Sequence, residues 1–143
     1  MTDMDETIEK INLLNHKIMR KLRMDNMGRW SKDLLDLSYI ELTIIRLLFE
    51  KPFIIMKEVG KRVAVPGSTL TSIIDRLENV GIVERMPSKK DRRAIELRLT
   101  PKGEHVHSEH ERVDRLITKK MLKPLSKEEV ESLMRLLEKI FEG

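Results

Sequence analysis

The sequence predicts a mainly α-helical chain carrying one small β-hairpin, an α+β arrangement, on three observations. Apolar residues recur every three or four positions through most of the chain. One short stretch, Ile95-Glu96-Leu97-Arg98-Leu99, alternates apolar and polar residues instead. Two short helical segments flank the punctuation Val65-Pro66-Gly67. With 143 residues the chain is long enough to bury a sizeable core as a single domain spanning 1–143.

The elements follow in order. Ile8, Ile11, Leu14, Ile18 and Leu22 line one face of a first helix, which Asp3 and Glu6 open as a capping box. Residues 24–36, with Gly28 and Trp30, read as a connection. Ser38 and Glu41 form a second capping box, opening a helix with Tyr39, Leu42, Ile45, Leu48 and Phe49 on its face; Pro52 closes it. Met56, Val59 and Val63 mark a shorter third helix. After Val65-Pro66-Gly67 a fourth runs to about Val80, with Leu70, Ile73, Ile74 and Leu77 inward and Gly81 at its C-terminal cap. Two short helices around a tight turn are the pattern of a helix-turn-helix. The strand at Ile95–Leu99 pairs with Ile82–Met86 across the charged tip Pro87-Ser88-Lys89-Lys90-Asp91-Arg92-Arg93. Thr100-Pro101 starts a long fifth helix, roughly 102–122, which ends at Lys123-Pro124. Ser126 and Glu129 cap the last helix, whose stripe is Val130, Leu133, Met134, Leu137, Ile140 and Phe141. The expected order is five or six helices, with the hairpin after the fourth.

Composition excludes several classes of function. With no Cys, the chain has no disulfide framework, cysteine zinc site, iron–sulfur cluster or thiol switch. Five aromatic residues (three Phe, one Trp, one Tyr) argue against reading single strands by base stacking. No apolar run approaches the roughly 20 residues of a membrane span; the best, Ile44 to Phe49, is broken by Arg46. The N-terminal Met-Thr-Asp-Met-Asp-Glu is acidic where a secretory leader is basic, so a cytoplasmic location is expected.

Charge is distributed unevenly. The chain carries 28 Lys and Arg against 24 Asp and Glu, a net +4. Residues 56–103 hold eleven basic and six acidic residues, a net +5, leaving −1 for the rest. Basic residues on a hairpin often do no more than keep it soluble. Here they directly follow a helix-turn-helix, where a basic β-wing can reach a minor groove beside a recognition helix.

Three local patterns then carry a resemblance. Asp75-Arg76-Leu77-Glu78-Asn79-Val80-Gly81-Ile82-Val83-Glu84-Arg85 is similar to the recognition-helix exit of the MarR family of winged-helix transcriptional regulators. Asp91-Arg92-Arg93 is similar to its Asp-x-Arg wing signature, and Leu99-Thr100-Pro101-Lys102-Gly103 to its Leu-Thr-x-x-Gly helix entry. The resemblance covers essentially the whole chain. It implies a winged helix-turn-helix DNA-binding lobe at 38–100, with dimerisation helices at 4–23 and 101–142. It also implies a homodimer that binds a pseudo-palindromic double-stranded DNA operator and usually represses transcription. The apolar stripes of the terminal helices independently favour a symmetric dimer, since the winged helix is too small to cover them; an intrachain bundle is the alternative.

By the resemblance, Gly67, Ser68, Thr69, Thr71, Ser72 and Arg76 face the major groove; Ser72 stands where many members carry Arg. Hydroxyls can bond base edges or phosphates, with less discrimination than a bidentate Arg–guanine contact. Arg93 and Arg92 would enter the minor groove, Asp91 would fix the wing tip, and Lys89, Lys90, Lys57 and Arg76 would meet phosphates. Members of the family often bind small aromatic anions, for which Lys17, Arg20, Trp30 and Tyr39 are the candidates, against a plain reading as core, lid or solvated groups. His107, His110 and Glu111 are spaced to share one face of the fifth helix, as zinc ligands or as a solvated polar face. A zinc-responsive regulator and a winged-helix protein-interaction module are therefore the alternative functions. No phosphate-binding Gly-rich loop, Gly-x-Ser-x-Gly elbow or convincing carboxylate pair marks an enzyme, and no cofactor is expected.

Overall fold

The computed structural model describes residues 2–26, 28 and 30–143. Its elements are α1 (Asp3–Asn26), α2 (Lys32–Leu35), α3 (Tyr39–Glu50), β1 (Ile54–Ile55), α4 (Met56–Val63), α5 (Gly67–Asn79), β2 (Val83–Pro87), β3 (Ile95–Leu99), α6 (Pro101–Leu122) and α7 (Lys127–Glu142). Among the described residues, no helix is long and apolar enough to cross a membrane.

The chain forms two compact units. One comprises Trp30–Glu111; the other comprises Met1–Arg29 with Arg112–Gly143, the division falling inside α6. Of the fifteen buried apolar side chains among the described residues, thirteen belong to Trp30–Glu111, including Ile44, Ile45, Leu48, Val59, Ile74 and Leu97. In the other unit α1 and α7 keep their stripes exposed: Ile8, Ile11, Leu14 and Ile18 on α1, and Met134, Leu137, Ile140 and Phe141 on α7.

Several local expectations hold with their chemistry. Ser38 accepts from the Glu41 amide at 3.2 Å while the Glu41 carboxylate accepts from the Ser38 amide, and Ser126 with Glu129 repeats the arrangement on α7. Gly81 adopts φ +76°, the left-handed conformation that ends α5, and Ile82 N–H donates to the Leu77 carbonyl at 2.9 Å. Gly103 has a different reason: a Cβ there would lie 2.2 Å from the Ile82 carbonyl oxygen. Thr100 caps α6 by accepting from the Gly103 amide at 3.1 Å, and its own amide donates to Ile82 O at 3.0 Å. The Leu-Thr-x-x-Gly pattern is thus a capped helix start pressed against the backbone at the entry to β2.

Other expectations are corrected. The cap of α1 is Thr2 with Asp5, one residue before the expected Asp3 and Glu6. The Thr2 hydroxyl accepts from Asp5 N–H, and the Asp5 carboxylate accepts from Thr2 N–H at 2.8 Å. Residues 24–36 are not all connection, because α1 continues to Asn26 and Ser31 caps the short helix α2, accepting from Leu34 N–H. Four residues are too few to show a period. With α2 counted, there are seven helices among the described residues and the hairpin follows the fifth. The buried face of α3 is Glu41, Ile44, Ile45 and Leu48, while Tyr39 is 85% exposed. A carboxylate inside that stripe hid it from an apolar count. The hairpin also gains a third strand, in the order β1-β3-β2, with Ile54 opposite Leu97 and Val83 opposite Leu99.

Candidate nucleic-acid interface

The α4–α5 pair is joined by Ala64, Val65 and Pro66. Ala64 takes the left-handed conformation at φ 54°, closing α4 as its N–H donates to Gly60 O. Pro66 then precedes α5 without a side-chain cap, so the first-turn amides of α5 are left for an outside acceptor. Nothing lies within 4 Å of where a Cβ on Gly67 would stand, so the backbone there is open to close approach.

The apolar residues Leu70, Ile74 and Leu77 hold α5 to the lobe. Gly67, Ser68, Thr69, Thr71 and Ser72 are exposed. The Thr71 hydroxyl donates to Gly67 O at 2.9 Å and that of Ser72 to Ser68 O at 3.2 Å. Each oxygen keeps its acceptor capacity and can turn its proton outward.

The structure sorts the eleven cations of residues 56–103 into two groups. Arg62 pairs with Glu58, Arg98 with Glu84, and Lys102 donates to Val80 O and faces Asp33 at 3.8 Å. Arg85 donates to Asp75 at 2.5 Å, to Glu78 at 3.0 Å and to Thr71 O at 3.4 Å, tying β2 to α5. Burial opposes its charge, but the hydrogen bonds and charges of Asp75 and Glu78 outweigh it and raise its pKa. Arg76 donates to Glu41 and to Asp36 O.

The other six, Lys57, Lys61, Lys89, Lys90, Arg92 and Arg93, are exposed and make no ion pair or side-chain hydrogen bond among the described residues. Four of them crowd the wing tip. Lys57 and Lys61 line a groove of about 590 Å³ together with Gly67 and Thr71 of α5. Lys61 was missed by sequence reasoning, although its place one turn after Lys57 was a usable signal.

The wing tip is shaped by its own polar groups. The Asp91 carboxylate accepts from Arg93 N–H at 3.0 Å, and Ser88, 5% exposed, accepts from the amides of Lys90 and Asp91. Asp91 therefore meets the turn backbone, which leaves the Arg93 side chain uncommitted. These contacts hold four cations on a short, stapled loop.

The remaining candidates are scattered. Lys17 and Arg20 are exposed on α1, and Tyr39 is exposed at the start of α3; Trp30 is half-buried, its Nε1 without a hydrogen-bond partner among the described residues. Lys17 and Arg20 belong to one compact unit, Trp30 and Tyr39 to the other. Among the described residues no group of three or more His, Asp or Glu side chains is arranged to hold a metal ion. His107 is buried and stacks on Phe49 with ring centroids 4.1 Å apart, and Glu111 faces Arg46 at 2.7 Å. Burial, the largest effect, pushes the His107 pKa down.

Comparison with known proteins agrees with this geometry. Residues 37–95 match the model of the MarR family. The transcriptional regulator HosA of Escherichia coli is 29% identical over 122 residues, covering 85% of this chain and 90% of that protein. The structure of Streptococcus pneumoniae FabT in complex with DNA superposes with a TM-score of 0.79 at 28% identity, covering 94% of this chain and 95% of FabT. That of wild-type Escherichia coli MarR in its apo form gives 0.68 at 27%, covering 92% and 94%.

Proposed function

We propose that the chain is a winged-helix transcriptional regulator of the MarR family, a DNA-binding protein, and that it represses transcription as a homodimer on a pseudo-palindromic duplex operator. The first turns of α5 enter the major groove with Ser68, Thr69, Thr71 and Ser72, and Gly67 lets a phosphate approach the uncapped amides. Arg93 and Arg92 enter the adjacent minor groove, where the negative potential favours guanidinium. Lys57, Lys61, Lys89 and Lys90 neutralise phosphates.

The observation that carries this reading is the group of six uncommitted cations flanking an exposed row of hydroxyls. A merely solubilising wing needs no stapled tip. The homodimer is supported by the exposed stripes of α1 and α7, because apolar surface of that extent marks an interface.

Selection of bound sequences from random duplex tests the reading. A recovered palindrome whose binding weakens steeply with salt supports it; equal affinity for all duplexes, or none, removes it and leaves the protein-interaction module. Control by a small aromatic anion is a second reading, favoured by the buried Nε1 of Trp30, which has no hydrogen-bond partner among the described residues. Calorimetry with salicylate-class acids tests it, and no heat at millimolar ligand removes it.

A further inference from the structure

We infer that Arg76 is a positioning residue for duplex recognition, holding α5 at a set rotation on the lobe instead of contacting a phosphate. The inference rests on the duplex-binding reading above. Its guanidinium bonds two protein acceptors: one nitrogen donates to Glu41 Oε2, the other to the Asp36 carbonyl at 2.7 Å.

Glu41 is only 7% exposed, and its second oxygen accepts from the Ser38 amide at the cap of α3. A carboxylate so placed needs its cation, because removing one partner leaves an uncompensated buried charge. The bridge therefore runs from the capped start of α3, and from the turn after α2, directly to α5. Ser72 stands four residues before Arg76, one turn away on the helix. Base-edge hydrogen bonds require placement to within about 0.5 Å, so a small rotation of α5 weakens sequence reading while leaving the cation count unchanged.

A phosphate contact and a positioning role differ in salt dependence. Each neutralised phosphate adds roughly 0.9 to the slope of log affinity against log salt; a positioning group adds nothing to it. The test uses the duplex recovered by selection and a scrambled duplex of equal length, each over a salt series. The chains compared are the wild type, Arg76→Gln, Glu41→Gln, the double variant, Arg76→Lys and Lys90→Gln.

Arg76→Gln and Glu41→Gln are each expected to weaken the selected duplex at least tenfold. Scrambled-duplex affinity stays within about twofold and the slope is as in the wild type, with the double variant no worse than either single one. Arg76→Lys does not rescue, since one ammonium replaces a fork that spans two acceptors. Lys90→Gln weakens both duplexes alike and flattens the slope by about one charge. If Arg76→Gln does not fold, Glu41→Gln and Arg76→Lys carry the same comparison.

A flattened slope and equal loss on both duplexes for Arg76→Gln, with Glu41→Gln unchanged, overturns the inference. So does additivity in the double variant, or wild-type affinity in both. A wild type without sequence preference removes the duplex reading itself, and the inference with it.

Discussion

Residues Trp30–Glu111 bury Ile44, Ile74 and Leu97 completely, whereas α1 and α7, with equally regular apolar stripes, leave Ile8, Ile140 and Phe141 largely exposed. Periodicity of the two regions is alike; closure is not. The lobe brings α2 to α5, the first half of α6 and a three-stranded sheet around one core, so each stripe meets another within the chain. Phe141, 91% exposed near the end of α7, has no such cover. The difference separates a part whose apolar faces are covered within the chain from a part whose apolar faces are left open.

The largest effect expected is in the closed region. Ile74→Ala removes a fully buried side chain and should cost about 2–5 kcal/mol by the lost transfer energy and the cavity left. Urea unfolding measures it, and the loss should not vary with protein concentration. A concentration-dependent loss would show that the lobe does not close alone.

Next comes the open region. Ile140→Glu should leave urea unfolding of the lobe unchanged while raising the dimer dissociation constant at least tenfold, about 1.4 kcal/mol or more. Light scattering over a dilution series reads this. An undiluted mass equal to one chain in the wild type would assign the exposed stripes to another partner.

A comparable effect is expected at the wing, where a charge can be removed without touching any core. Arg93→Ala should weaken duplex binding at least tenfold in a gel-shift titration, with a melting temperature within about 1 °C of wild type. Unchanged affinity would take the wing out of the recognition scheme.

The smallest effect concerns His107, 4% exposed on α6 and stacked on Phe49. Burial lowers its pKa below the ordinary 6.5, and Arg46 and His110 act in the same direction, against Glu111 and Glu50. The unfolded chain therefore takes up the proton first as pH falls. Stability is fully present above about pH 6.5 and is lost as pH falls through the lowered folded value. Melting between pH 7.5 and 5.5 should show a decline that His107→Phe reduces; an equal decline in both would place the sensitivity elsewhere.

Much of the lobe was legible because its signals are local. Capping boxes span three residues, as at Ser38 and Glu41. The left-handed Gly81 ends a helix within its own turn, and the alternation of Ile95–Leu99 is read within five positions. The site was legible as a cluster of charge but not in its division of labour. Nothing within a few positions of Arg76 shows that Glu41 awaits it thirty-five residues away, or that Arg85 must bridge to Asp75 and Glu78.

What the sequence by itself determined is therefore the order of the longer helices, the two-stranded wing, the caps of α3, α6 and α7 and a basic central third, since these depend on neighbours along the chain. Only the tertiary structure decided which six of eleven cations stay uncommitted, that α3 turns a carboxylate inward, and that His107 lies against a ring instead of facing solvent. Ion pairing and burial depend on which distant groups arrive at the same place. A buried charge such as that of Glu41 is too costly to keep without its partner, whereas an exposed cation stays unpaired in water at little cost.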